Sequence, residues 1–310
     1  MHGRPSSWPC DELDYIWNTR LQYVPNLCVI VCGSATSWML DKVINAKGGL
    51  HNRITRSLKL NPFTLAETRD FLHSRGIRLD ARQVIELYMA TGGIPYYLDF
   101  AEPGRSATQI IAEMYFQEGQ GLYGEFSRLF SSLFASSEKH ARIVTALSKS
   151  RSGLYLKEIA QATQSSVGGR LRKWLCELEA CGFVAARTPY RHKRRATKYV
   201  LVDEYLWFYF CWIEKAPKLV FKRGGIDYWH EKSQSPAHAS WAGLAFEMLC
   251  MKGRQMRRRP AALQKLGGTT SVSSAPCGRD RARPSIPGQY SWRAAGLRRI
   301  RYHSNPTFNR

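Results

Sequence analysis

The chain has 310 residues, 44% of them hydrophobic and 12% aromatic, which is enough apolar material for packed cores over most of its length. No run of about 18 apolar residues exists, so a transmembrane helix is not expected. The formal net charge of +22 is uneven: residues 253–310 hold 13 Lys and Arg against the single acid Asp280, so more than half of the excess lies in less than a fifth of the chain.

Met1 to Cys10 lacks an apolar h-region, and no secretory signal is expected there. The eight cysteines form no CxxC pair and no Cys/His set with zinc spacing, which leads to the expectation of a reducing, cytoplasmic setting without a metal.

Taken in chain order, Asn26 to Cys32 is a short, continuous apolar run ending at Gly33-Ser34, and it reads as a strand buried on both faces. Ser37 to Asn45 has helical spacing, and Arg56 to Leu60 reads as a second short strand stopped by Asn61-Pro62. Thr64 to Ser74 is an expected helix, with Thr64 and Glu67 forming a capping box. Asp80 to Thr91 is another, closed by Gly92-Gly93. Strands followed by helices in this way imply an α/β arrangement.

A second texture runs from Glu138 to Ile213. Helices are expected at His140–Ser148, Leu156–Gln164 and Ser165–Cys181. Phe183-Val184 and Tyr199 to Val202 flank a basic loop and read as a hairpin. Three helices and a hairpin make a winged helix-turn-helix. The wing carries Arg187, Arg191, Lys193, Arg194, Arg195 and Lys198 without an acid, and Arg170, Arg172 and Lys173 add charge to the third helix. These cations suit a phosphate backbone, so DNA is a candidate partner; a solvated hairpin packed on another domain is the alternative. The aromatic block Tyr205 to Trp212 is crowded on every side and reads as a buried helix rather than a base-stacking platform. Past Lys252 neither helical nor strand periodicity persists. A disordered basic tail is expected over residues 253–310, and the abrupt break suggests a shifted reading frame.

Three blocks bear on chemistry. Ser34 or Thr36, at the end of the first strand, could present a hydroxyl to a γ-phosphate; equally, Ser37 could simply cap the next helix. Arg53 and Arg56 precede the second strand and could reach a phosphate or remain solvated charges. Gly93 and Pro95 lie in a turn that stops a helix and could also pack on an adenine.

In order and spacing these blocks, together with Leu13-Asp-Tyr-Ile-Trp-Asn18 and Trp241-Ala-Gly-Leu-Ala-Phe-Glu247, resemble the archaeal-type AAA+ ATPases. These are STAND-related P-loop proteins with a winged helix and a restriction-endonuclease-like C-terminal domain. The resemblance implies a sensor at Ser34, an arginine finger at Arg53 or Arg56, a GxP turn at Gly93 and Pro95, ATP and Mg as ligands, and a homo-oligomer. The departures are large: no GxxxxGK[ST] and no Gly-Lys pair occur, so the phosphate cradle is missing. No apolar Walker B strand precedes Leu13, and the acids of a nuclease core are lacking after Lys252.

The resulting expectation is a chain truncated at its N-terminus. An α/β fold with a partial P-loop parallel sheet (1–63) and a helical lid (64–135) leads into a winged helix (136–213), the start of a C-terminal domain (214–252) and the tail. The function expected is ATP binding without hydrolysis, or, alternatively, a nucleotide-independent winged-helix module for DNA or a protein partner.

Overall fold

Thr64 opens the helical body of the molecule. Its hydroxyl accepts from the Glu67 amide while the Glu67 carboxylate accepts from the Thr64 amide at 2.8 Å, so the capping box is complete. The computed structural model describes residues 8–31, 55–56, 58, 60–117, 121–122, 124–188, 197–222 and 225–257. Before Thr64 there is a helix α1 (Trp8–Thr19) and a 3-10 turn, Leu21–Tyr23.

From Thr64 onward helix follows helix: α2 (Leu65–Ser74), α3 (Ala81–Thr91), α4 (Pro95–Leu98), α5 (Ala107–Tyr115) and α6 (Glu125–Leu133). Asp80 and Ser106 cap α3 and α5 through side-chain oxygens, as short polar residues at these positions do. Next come α7 (Ser137–Ser148), β1 (Leu154–Tyr155), α8 (Leu156–Ala162), α9 (Gly169–Ala180), β2 (Val184–Arg187) and β3 (Lys198–Leu201). The strands form one antiparallel sheet in the order β1-β3-β2. Asp203 then caps α10 (Glu204–Phe208), which runs on into a π-helical turn, Tyr209–Ile213. α11 (Lys218–Lys222), α12 (Gly225–Ser233) and the long α13 (Pro236–Arg257) complete the order.

The α/β fold class is overturned. Among the described residues the strands are the three antiparallel ones, and no parallel sheet and no lid over one is formed. Residues 27–31 carry no strand, and Ile30 is 75% exposed. Arg56, Leu58 and Leu60 are also outside any strand and exposed, Leu60 to 84%. A run of Val and Ile is an interior strand only when neighbours pair with both of its edges and helices cover both of its faces. Among the described residues no strand pairs with this segment, so its β propensity has nothing to act on.

The hydrophobic core instead lies within the helical body. It runs from Leu72 on α2 through Ile110, Ile111 and Tyr115 on α5, to Leu206 and Phe208 on α10 and Trp229 on α12, all essentially buried. The block Tyr205 to Trp212 sits inside it: Tyr115 and Tyr205 stack at 5.9 Å, and Phe208 meets Trp229 at 5.2 Å. Lys252 on α13 reaches back to the buried Glu204 carboxylate at 2.8 and 2.9 Å, which fastens α13 to the start of α10. No described helix is long and apolar enough to cross a membrane.

Candidate nucleic-acid interface

Leu171, Leu175 and Leu178 recur at spacings of four and three along α9, and all three are buried. This spacing puts one stripe of the helix against α7, whose Ile143, Val144 and Leu147 are buried in the same core. The opposite face is left to solvent and carries Arg170, Arg172 and Lys173, all exposed. Glu177 is the nearest carboxylate along that helix, and it is already engaged. Its Oε2 lies 2.7 Å from Nε2 of the buried His140, whose Nδ1 donates to the Ser136 carbonyl oxygen at 2.9 Å. Lys173 approaches the other Glu177 oxygen only to 3.9 Å, a weak surface pair. The first turn of α9 therefore presents cations that the helix's own acids do not neutralise.

The turn before α9 is built to expose it. Gln164 takes a left-handed conformation (φ 51), the Ser165 amide donates to the Ala160 carbonyl oxygen at 2.8 Å, and the Gln164 amide donates to Gln161 at 3.2 Å. These two bonds close α8 with a Schellman motif. The sequence places the start of the third helix at Ser165; it begins at Gly169 because the motif consumes Gln164 and Ser165 and the Gly168-Gly169 pair resists helix entry. Val167, inside the bounds expected for that helix, is 52% exposed in the turn.

The Ala186 amide donates to Glu179 Oε1 at 2.7 Å, which ties the hairpin to α9. At the root of the wing Arg187 on β2 stands directly across from Lys198 on β3. Lys198 lies over the Tyr155 ring at 4.9 Å. Thr188 and Thr197, one step further out, share a hydrogen bond at 2.8 Å. Arg191, Lys193, Arg194 and Arg195 of the wing lie outside the described residues.

The expected nucleotide residues are not brought together. Ser34 and Arg53 fall outside the described residues, and Arg56 lies exposed in a segment without regular structure. Gly93 has a packing role that accounts for it: φ is 72, and a Cβ there would sit 2.4 Å from the Phe63 carbonyl oxygen and 2.7 Å from the Tyr88 ring. The Gly93 carbonyl oxygen accepts from the Phe63 amide at 2.8 Å, and the Tyr88 hydroxyl donates to Phe63 O at 2.9 Å. Pro95 is exposed as the first residue of α4, where its missing amide hydrogen costs no helix bond. No group of three or more His, Cys, Asp or Glu among the described residues is placed to hold a metal ion.

Sequence reasoning missed the pairing of His140 with Glu177 and the seating of Lys198 on Tyr155. Both join residues more than 35 positions apart, and no local spacing signals such contacts. Comparison with family models, with curated proteins and with solved structures gives no match for this chain.

Proposed function

We propose that residues 137–202 are a winged-helix module that binds double-stranded DNA, with α9 as the helix that enters the groove and the wing lying along the phosphate backbone. The order helix, strand, helix, helix, strand, strand and the antiparallel β1-β3-β2 sheet support this reading. The observation that carries it is the exposed cationic start of α9, Arg170, Arg172 and Lys173, with Glu177 turned to His140. Arg170 and Lys173 contact phosphates, and Arg191, Lys193, Arg194 and Arg195 extend the same charge along the wing. Such contacts set affinity and register without reading sequence.

The test is binding of the full chain to a mixed-sequence duplex, followed by fluorescence anisotropy. Loss of affinity in Arg170→Ala/Lys173→Ala supports the reading. Unchanged affinity defeats it and returns this face to a protein partner. The competing reading, ATP binding, predicts a rise in melting temperature with MgATP through mass action on the folded state. We expect no such rise, because the described residues form no pocket-building parallel sheet.

A further inference from the structure

A cavity of about 540 Å³ lies between the hairpin, α10 with its π-helical turn, and α13. Its volume is that of a small-molecule pocket. The walls are apolar and aromatic: Trp207, Trp212, Trp241 and Met248 all line it. Flat rings and a flexible thioether suit an aromatic guest. The π turn, closed by the Glu214 amide donating to Tyr209 O at 2.9 Å, is what brings Cys211 and Trp212 to this wall. Such turns are frequent at functional sites.

The polar groups around the cavity share one preference. Arg151, Arg187 and Lys215 line it against the single carboxylate Glu247. All three cations are exposed, and none forms an ion pair or a side-chain hydrogen bond with a described residue. Burial raises the pKa of the half-buried Cys211 thiol, and the charges of Lys215 and Arg151 oppose that rise.

We propose that this cavity binds an aromatic carboxylate: a one- or two-ring apolar body among the tryptophans, with a carboxylate turned to the cations. This site uses none of the residues assigned to DNA on α9, and its test is separate.

The test is isothermal titration of the full chain with 2-naphthoate and with the uncharged 2-naphthamide. Naphthoate is expected to saturate at one site per chain and to bind about tenfold more tightly than the amide, since a charged acceptor strengthens such hydrogen bonds. Lys215→Gln, at an exposed position, should weaken naphthoate several-fold and leave the amide unchanged. Ser240→Trp, at an exposed lining position, should block both while melting like the parent protein. Equal affinity for the two compounds, naphthoate binding that survives Ser240→Trp, or no binding at all overturns the proposal.

Discussion

Arg187 and Lys198 face each other across the β2-β3 pair at the root of the wing, two like charges in directly opposed register. Opposed like charges on neighbouring strands destabilise a hairpin. Arg187→Thr removes the repulsion and adds a β-branched residue suited to a strand. It should stabilise the protein by about 0.2–1 kcal/mol, read as a higher urea midpoint with an unchanged slope. The gain should shrink as salt is raised, since Arg187 is exposed and Lys198 only half-buried. A loss of stability would mean that Arg187 has a favourable partner within the fold.

Gly93 and Gly76 both have positive φ, 72 and 77, but different surroundings. At Gly76 a Cβ meets nothing within 4 Å. Gly76→Ala should therefore cost only the left-handed backbone, about 1 kcal/mol. Gly93→Ala adds a collision with backbone at Phe63 and should cost about 2–4 kcal/mol. Thermal melts of the two variants separate these outcomes. Equal costs would remove the packing account of Gly93 and reopen a ligand role for the turn.

Asp203 caps α10, accepting from the Leu206 amide at 2.8 Å. Burial, and then the neighbouring Glu204 charge, push its pKa from 3.8 up to about 6. A folded-state value above the unfolded one means that the native state prefers the protonated carboxyl. That stability is fully present below about pH 4 and is lost as pH rises through about 6. Asn caps a helix as well as Asp does and never ionises. Asp203→Asn should accordingly match the parent protein near pH 4 and exceed it by about 1–3 kcal/mol near pH 8. Chemical denaturation across this range checks the sign; a variant that is weaker at pH 8 contradicts it.

The helical parts of the fold were legible where local rules suffice. Thr64 with Glu67, Asp80 before α3, Gly92 after it and the leucine stripe of α9 each encode their element within four residues. The crowded aromatics from Tyr205 to Trp212 announced their own burial: Tyr205, Phe208, Phe210 and Trp212 are buried, and Trp207 and Tyr209 are partly so. The first strand was misread because burial is not a local property. Residues 29–31 have strand composition, but whether they pair depends on neighbours elsewhere in the chain. The cationic start of α9 could be read directly. Its release from Glu177 could not, since that depends on His140 in another helix. The cavity was invisible for the same reason: Arg151, Arg187, Lys215 and Trp241 come together only through tertiary packing.

DNA binding by α9 is tested most directly by the salt dependence of duplex affinity, measured by anisotropy for the full chain and for Arg170→Ala/Lys173→Ala. Simple binding would not suffice, because residues 253–310 alone hold 13 Lys and Arg and attract any polyanion. Each phosphate contact contributes about 0.9 to the slope of log affinity against log salt. The double variant should therefore bind more weakly and lose roughly 2 units of slope. An identical slope and affinity in the two proteins would show that the duplex is held elsewhere and that the exposed face of α9 is not a DNA-binding surface.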